Sequence, residues 1–329
     1  MTGALLSVRD LKVEFATRKG PLTALDGVSF DIGRGEVLGV VGESGAGKSL
    51  TGLAIIGLLD PPGRIAGGEI ALDGERIDNL PQARMREIRG RRIGIIFQDP
   101  LTSLNPLMRV GDQLAETIQA HKRIGRREAR ERAIAWLAEV GIPSPETRID
   151  GYPHEFPGGM RQRVVIALAL CAEPELVIAD EPTTALDVSV QAQIIALLKT
   201  LARRHGAAVM LITHDMGVIA ETADRVAVMY AGRIAEIGEV RELVRDPLHP
   251  YTQGLMAAIP TLGVRAGRLA QIPGAMPRLT AIPRGCAFAP RCPQAFERCA
   301  ERPPFISLER RGAACWLYDR APAAMGARD

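Results

Sequence analysis

The segment at residues 42–49 constrains the fold of this chain more than any other part of the sequence. It reads Gly-Glu-Ser-Gly-Ala-Gly-Lys-Ser and matches the phosphate-binding pattern G-x-x-x-x-G-K-S. An apolar run at 36–42 predicts a buried strand before it, and a helix is predicted to begin at Lys48. In that arrangement the backbone N–H groups of the loop point toward phosphate oxygens at the helix N-terminus. The sequence therefore predicts not a purely structural turn but a nucleotide site formed by Gly42, Glu43, Ser44, Gly45, Ala46, Gly47, Lys48, Ser49 and Leu50.

Further polar residues suit a site for ATP and Mg²⁺. Lys48 can neutralise charge on the β- and γ-phosphates, and the hydroxyl of Ser49 can hold Mg²⁺. The apolar run at 176–179 predicts a second buried strand, which ends in Asp180 and Glu181. Asp180 is placed to complete the Mg²⁺ shell, and Glu181 to polarise a water for in-line attack. Phosphate binding alone leaves kinases, GTPases and many ATPases open.

The remaining pattern predicts an α/β fold with additions. Buried strands at 93–97, 176–179 and 207–213 alternate with helices, which is typical of a mostly parallel sheet. Alternating apolar residues at 11–15 and a hairpin signal at 70–77 predict added antiparallel strands. Helices are predicted over 107–121, 126–140 and 188–204, the last preceded by Asp187 and ended by Gly206. We therefore expect an ATPase domain at 1–247, with a helical insertion at about 101–172, and an irregular, Cys-rich extension at 248–329.

Charge and hydropathy limit the partners of the chain. Forty-one Lys and Arg against 38 Asp and Glu leave a net charge of +3, so no nucleic-acid partner is expected. Residues 1–9 lack the basic start and apolar core of a signal peptide. No run approaches the ~20 apolar residues that span a bilayer. We expect a cytoplasmic chain whose membrane role, if it has one, comes through a partner.

A second glycine-rich turn predicts a dimer. Pro157, Gly158 and Gly159 precede a predicted helix, and two glycines at a helix start form another anion site. One domain rarely needs two such sites for one nucleotide. The economical explanation is a head-to-tail pair, in which each chain offers this turn to ATP held by the other.

Together with Gln98 and His214, which each follow a buried strand, these motifs resemble those of the ATP-binding cassette (ABC) ATPases. The resemblance implies that Gln98 senses Mg²⁺ and the γ-phosphate, that His214 reaches the γ-phosphate, and that Asp187 lies in a dimer-facing loop. It places Phe15 where an adenine-stacking aromatic usually lies, and a core-facing strand Phe is the alternative. It also implies the P-loop ABC core, an α/β fold with an antiparallel β subdomain and a helical subdomain.

The second turn departs from the pattern of that family. The family has Leu-Ser-Gly-Gly, whereas this chain has Phe156 and Pro157 before the two glycines. Proline supplies neither a hydroxyl nor a backbone N–H, so the site that it offers to a partner should be weakened. We hypothesise a heterodimer with a homologous ATPase subunit that contributes an intact signature to the P-loop of this chain.

Three stretches, at 97–106, 180–193 and 249–255, resemble the ATPases of dipeptide and oligopeptide importers. That resemblance implies ATP hydrolysis at the cytoplasmic face of the inner membrane, peripheral to two transmembrane permease subunits and indirectly served by a substrate-binding protein. Nickel and glutathione importers share the subfamily and remain alternatives. So does a non-transport ABC ATPase of DNA repair or translation, although no long insertion of that kind is evident.

Four of the five cysteines lie near the C-terminus. They are Cys286, Cys292, Cys299 and Cys315, separated by five, six and fifteen residues. Stable disulfides are disfavoured in the cytosol, and four thiolates suit a 4Fe–4S cluster or Zn²⁺. Because some peptide importer ATPases carry a similar arrangement that holds a cluster, a 4Fe–4S cluster is predicted. Zinc, unliganded thiols and a facultative disulfide are the alternatives, and Cys171 is predicted to be a core residue.

Overall fold

The apolar run that precedes the phosphate loop lies at the centre of a large sheet. The computed structural model describes residues 3–184, 186–259 and 271–319. Its strands are β1 (Leu6–Thr17), β2 (Gly20–Ile32), β3 (Val37–Val41), β4 (Gly63–Leu72), β5 (Glu75–Arg76), β6 (Ile93–Ile96), β7 (Leu176–Asp180), β8 (Ala208–Ile212), β9 (Arg225–Tyr230), β10 (Arg233–Glu239), β11 (Ile306–Leu308) and β12 (Arg311–Ala313).

The helices surround this sheet and form the insertion. They are α1 (Lys48–Ile55), α2 (Gln82–Ile88), α3 (Pro100–Ser103), α4 (Val110–His121), α5 (Arg126–Glu139), α6 (Pro145–Arg148), α7 (Gly158–Leu170), α8 (Val188–His205), α9 (Met216–Thr222), α10 (Val240–Arg245) and α11 (Pro250–Ala257). Among the described residues, none of these helices has the length and apolar character needed to cross a bilayer.

The central sheet is parallel around the phosphate loop. Its strand order is β11-β12-β10-β9-β3-β8-β7-β6. The strands from β9 through β3, β8 and β7 to β6 pair in parallel, whereas β10, β11 and β12 pair antiparallel. Every residue of β3 and β8 is buried, as expected for strands covered on both faces. The predicted parallel α/β core is confirmed, and the carboxyl ends of β3, β7 and β8 meet at one edge.

A separate four-stranded antiparallel sheet, in the order β2-β1-β4-β5, covers the start of the chain. The predicted hairpin turns at Asp73 and Gly74, both of which have positive φ, at 51° and 79°. Such a pair of backbone angles matches the twist of two hydrogen-bonded strands. The apolar face of β1 shares a core with Leu38 and Val40 of β3. Burial of that face attaches the antiparallel sheet to the nucleotide-binding core.

The first long helix of the insertion begins later than the sequence pattern predicts. We expected a helix from residue 107, whereas α4 begins at Val110. The side chain of Asn105 accepts a hydrogen bond from the N–H of Leu107 at 3.0 Å, and its carbonyl accepts one from Met108 at 3.2 Å. Asparagine stabilises turns in this way and competes with the helix. The Leu107 side chain is consequently 86% exposed rather than part of the helical core.

The C-terminal extension is more regular than expected. Residues of β12 pair with β10, with Ala313 opposite Glu236 and Gly312 opposite Ile237, so the extension completes the central sheet. Strands of three residues are too short to show a periodic sequence pattern. Residues 260–270 and 320–329 of the predicted extension lie outside the described residues, and its predicted boundary at 248 stays a prediction.

His249 attaches the extension, and its burial is expected to make the stability of the chain depend on pH. The side chain is 3% exposed, and its Nδ1 accepts a hydrogen bond from the N–H of Tyr251 at the start of α11, at 3.0 Å. Burial lowers the pKa of His249 from 6.5 to about 4. Because the unfolded chain binds a proton in that window and the folded chain does not, stability should fall as the pH drops from about 6.5 toward 4.

We expect His249→Asn, which keeps an acceptor at the helix start but does not titrate, to reduce this pH dependence. The free energy of unfolding, measured by denaturant titration, should lose about 2 kcal/mol less between about pH 7.5 and about pH 5 in the variant. Exposed His154 provides the matched control, His154→Asn, which should behave as the wild type does. Equal pH dependence in all three proteins would contradict the assignment to His249.

Candidate functional site

The phosphate loop has a backbone that only glycine permits at two positions. Gly42 and Gly47 have φ of 152° and 101°, angles that disfavour any residue with a Cβ. A Cβ on Gly42 would lie 2.3 Å from the carbonyl oxygen of Met229, and one on Gly47 would lie 2.6 Å from the Leu25 side chain. Gly47 is also the N-cap of α1. The loop therefore wraps closely around the start of that helix, as a phosphate cradle requires.

Lys48 is held inside this loop. Its side chain lies beneath the loop, because Nζ donates to the carbonyl oxygens of Gly42 at 2.9 Å and Glu43 at 3.2 Å. The residue is 5% exposed. Burial lowers the pKa of Lys48, while the nearby carboxylates of Glu181 and Asp180 oppose that shift. A buried ammonium held by carbonyl groups is placed to bind a phosphate group within the loop.

Ser49 and Asp180 meet as expected of two oxygen ligands. Ser49 Oγ donates to Asp180 Oδ1 at 2.8 Å, although the two residues are 131 positions apart in the sequence. Burial raises the pKa of Asp180, and the hydrogen bond from Ser49 opposes the shift. A hydroxyl and a carboxylate are the hard oxygen donors that Mg²⁺ prefers. The donor set therefore fits the predicted Mg²⁺ site.

The Glu181 carboxylate contacts two other predicted site residues, Gln98 and His214. Oε2 accepts hydrogen bonds from Gln98 Nε2 at 3.2 Å and from Thr184 Oγ1 at 2.9 Å. Oε1 lies 3.4 Å from His214 Nδ1. Gln98, Glu181 and His214 come from the carboxyl ends of three neighbouring parallel strands, β6, β7 and β8. A carboxylate with polar neighbours of this kind is suited to act as a general base.

Backbone geometry aims the Glu181 side chain. Glu181 has φ of 44°, an uncommon value for a residue other than glycine, and its N–H donates to the Ile212 carbonyl at 2.8 Å. The strained position turns the side chain out of the strand, as is frequent at functional sites. Thr184 was not predicted to act here. The only sequence signal is its position three residues after Glu181, which suits a hydroxyl that closes a turn.

The second glycine-rich turn lies on the surface at the start of α7. Pro157 is the exposed N-cap of the helix, with no side-chain cap. Gly158 and Gly159 face Leu186 and Val190 near the start of α8. The two predicted anion sites are thus built on different helices, α1 and α7.

Asp187 also lies at the surface beside this turn. It occupies the N-cap position of α8 as predicted, but its side chain makes no capping hydrogen bond. Its neighbour Gln191 instead binds the loop before the helix, donating to the carbonyl oxygens of Thr183 and Leu186, each at 3.1 Å. The exposed carboxylate of Asp187 is free of that network and faces outward.

Phe15 is half-buried. It lies opposite Gly63 of β4, and a Cβ on that glycine would lie 2.8 Å from the Phe15 ring. One part of the side chain packs against the antiparallel-sheet core. The rest of the ring remains accessible, so adenine stacking stays a prediction.

The predicted iron–sulfur cluster is wrong. The four cysteines are free and line one small cavity with His249, Phe288 and Trp316, but within the described part of the chain no three His, Cys, Asp or Glu side chains are arranged to hold a metal ion. Burial raises the pKa of Cys286 and Cys292, and that of Cys315 to about 11. It therefore favours thiols over the thiolates that bind metals. The zinc alternative fails for the same reason, and Cys171 is buried in the core as expected.

The chain is similar to known transport ATPases over nearly its whole length. The ABC transporter family profile matches residues 25–184, and the profile for the oligopeptide/dipeptide transporter C-terminal region matches residues 235–299. The chain is 51% identical to the oligopeptide transport ATP-binding protein OppD of Salmonella typhimurium, over 91% of this chain and 89% of that protein. It is 45% identical to the dipeptide transport ATP-binding protein DppD of Escherichia coli, over 93% of each.

Solved structures of ATP-binding cassettes have the same fold as this chain. An ATP-binding cassette, solved as a dimer in a post-hydrolysis state bound to ADP and Pi, aligns with a TM-score of 0.64 and 29% identity. The alignment covers 72% of this chain and 99% of that one. A cassette named cbiO1 from Clostridium perfringens, part of the transporter complex cbiONQ, aligns with a TM-score of 0.63 at 31% identity, over 74% of this chain and 91% of that one.

Proposed function

Because this chain belongs to the ABC transporter family of ATP-binding subunits, we propose that it hydrolyses ATP to power the uptake of oligopeptides or dipeptides. The function is that of a peptide importer's ATP-binding subunit, in keeping with its relatives named for oligopeptide and dipeptide transport. The single observation that carries the chemistry is the Glu181 carboxylate, held between Gln98 and His214 beside the Ser49–Asp180 pair.

Nucleotide binding uses the phosphate loop and Lys48. The N–H groups of the loop and the start of α1 surround the β- and γ-phosphates, and the Lys48 ammonium cancels part of their charge. Ser49 and Asp180 would hold Mg²⁺, whose chemistry is to neutralise charge that develops on the phosphate oxygens. The Phe15 ring would stack on the adenine base.

Hydrolysis requires a positioned water, and Glu181 supplies the base. Its carboxylate accepts a proton from the water as the water oxygen attacks the γ-phosphorus in line with the departing ADP oxygen. Gln98 and His214 hold the water and the γ-phosphate in that line. Glu181 already contacts both of these side chains, so the base and its neighbours are grouped before ATP binds.

Membership of this family supports a proposal for the position of the subunit in a transporter. We propose that it lies at the cytoplasmic face of the inner membrane and transmits ATP-dependent closure to two transmembrane permease subunits. A substrate-binding protein on the other side would deliver the peptide. The resemblance implies that Gln98 and the helical insertion transmit this closure to the permeases.

We further propose that the partner ATPase is a homologue rather than a second copy. Two Pro157 turns in a homodimer would weaken both composite sites, whereas an intact signature on the partner leaves the P-loop of this chain with a full set of donors. Pro157 and Asp187 are exposed, and the half-buried Gly158 lies against Leu186 beside them, which supports such pairing.

The function is tested by reconstituting this chain with its partner ATPase and permeases in vesicles that contain ATP. We expect the vesicles to accumulate labelled di- or oligopeptides, supplied with the binding protein, only when ATP rather than ADP is enclosed. ATP-driven uptake of nickel or glutathione without peptide uptake would instead place the chain with those members of the subfamily. No ATP-dependent uptake of any of these solutes would contradict the proposal.

A further inference from the structure

A residue of the phosphate loop is held from the far end of the chain. Arg291, in the C-terminal extension, donates from Nη1 and Nη2 to the two carboxylate oxygens of Glu43, at 2.9 and 3.1 Å. The Arg291 side chain is 7% exposed and the Glu43 side chain 29% exposed, so this two-pronged ion pair is partly shielded from water. Such a pair combines charge with a defined geometry, and it joins two residues that are 248 positions apart.

The extension also binds the backbone of the same residue. The Glu43 N–H donates to the Tyr251 hydroxyl at 2.9 Å, and Tyr251 is fully buried. The Glu43 carbonyl in turn accepts from Lys48 Nζ. Tyr251 therefore binds the N–H of Glu43 and Arg291 binds its carboxylate. Lys48 binds its carbonyl oxygen.

An aromatic cluster fixes both contacts in place. The rings of Tyr230 and Tyr251 are 4.7 Å apart, and Phe288 lies within 5.3 Å of Tyr230 and 5.4 Å of Tyr251. The Arg291 guanidinium lies over Tyr230 and Phe288, about 6 Å from each ring centre. Its Nε donates to the Pro273 carbonyl at 2.9 Å. These contacts leave Arg291 few alternative positions, so the pair with Glu43 is preorganised.

The negative charge of Glu43 would oppose phosphate binding, and the ion pair with Arg291 offsets it. A carboxylate beside a phosphate cradle repels the anionic ligand, and the repulsion is stronger at a partly buried site than in bulk water. Arg291 cancels that charge and draws the carboxylate toward the extension. With Arg291 removed, Glu43 would carry an unpaired negative charge within the phosphate loop.

We propose that Arg291 and Tyr251 are positioning residues of the nucleotide site, through which the C-terminal extension sets the shape and charge of the phosphate loop. We call this pair of residues the Glu43 latch. The proposal rests on the proposed function only in taking residues 42–49 as the ATP site. The extension is thus part of the ATP-binding machinery of the chain, in addition to completing its sheet.

The test measures the affinity of the full chain for a fluorescent ATP analogue with Mg²⁺, together with KM and kcat for ATP in the complex assembled with its partner ATPase and permeases. Arg291→Met should weaken binding and raise KM about tenfold, with kcat at saturating ATP retained. The affinity and KM of Arg291→Lys should lie between those of wild type and Arg291→Met, since lysine keeps the charge but loses the two-pronged contact. Tyr251→Phe, which removes one hydroxyl from the latch, should weaken binding a few-fold.

The decisive variant is the double change of Arg291→Met with Glu43→Gln. Because the uncompensated carboxylate is then absent, the double variant should recover most of the lost affinity. Arg302→Met is the matched control. Arg302 also attaches the extension to the core, through Asp26 at 2.8 Å, but contacts no part of the phosphate loop in the described structure.

Each outcome separates one explanation from another. Equal affinity of Arg291→Met and wild type, or no recovery in the double variant, would overturn the latch. An equal loss in Arg302→Met would reduce the role of Arg291 to general attachment and would also overturn it. Failure of the wild-type chain to bind the analogue at all would instead count against the proposed nucleotide site. Should Arg291→Met fail to fold, Arg291→Lys and Tyr251→Phe still decide the question.

Discussion

Replacing Glu181 by Gln is expected to lower ATP hydrolysis by about 10²–10⁴ while leaving ATP binding intact. Gln keeps the size of the side chain and can still contact Gln98, Thr184 and His214, but its amide cannot take a proton from the attacking water. ATP should therefore accumulate in the closed, paired state of the two ATPase subunits. The measurements are phosphate release by the assembled complex and retention of labelled ATP on the isolated complex.

A matched change elsewhere controls for the loss of one negative charge. Glu146 is exposed in the short helix α6, and Glu146→Gln should leave both phosphate release and ATP retention unchanged. Turnover in the Glu181→Gln complex within a few-fold of wild type would mean that another group accepts the proton. In that case, the grouping around Glu181 would have a structural rather than a catalytic role.

Pro157→Ser should strengthen the composite site that this chain offers to its partner. Pro157 is exposed at the start of α7 and has φ of −55° and ψ of 156°, which serine adopts freely, so the change adds a hydroxyl and an N–H without disturbing the helix. A hydrogen bond to a charged group contributes about 1.5–3 kcal/mol, or roughly 10- to 150-fold in affinity. We therefore expect tighter ATP-dependent pairing and a changed ATPase rate in the assembled complex.

Pro145 provides the control for this substitution, because it also begins a helix, α6, at a distance from the glycine-rich turn. Pro145→Ser should leave pairing and ATPase rate as they are. If Pro157→Ser also had no effect on the rate of the assembled complex, the hypothesis of an asymmetric pair would be wrong.

The sequence predicts the parts of the molecule that depend on local spacing. Gly42 and Gly47 occupy backbone angles that other residues avoid, so their spacing from Lys48 identifies the loop directly. Asp180 and His214 follow runs of buried residues, and the carboxyl ends of parallel strands meet at one edge. The sequence therefore predicted the fold class and the residues that gather there.

Features that depend on distant contacts were not predictable in this way. No local pattern connects Arg291 with Glu43, because their pairing requires that the extension folds back over the phosphate loop. The short strands β11 and β12 have no periodicity of their own and exist only because β10 offers an edge. For the cysteines, the sequence predicted a feature that is not there, the iron–sulfur cluster. The spacing of thiols along the sequence does not show whether their burial favours the thiolate that a metal requires.

The pairing of β12 with β10 also affects how the chain is made on the ribosome. β10 ends at Glu239, whereas β12 begins at Arg311, so the ATPase core is complete in sequence long before its sheet is complete in space. At ~5–20 residues per second, translation leaves the outer edge of β10 unpaired for several seconds. An open strand edge of that kind can pair with other chains. The nascent chain thus passes through a period of exposure to aggregation and chaperone binding, which ends only when the last strands emerge.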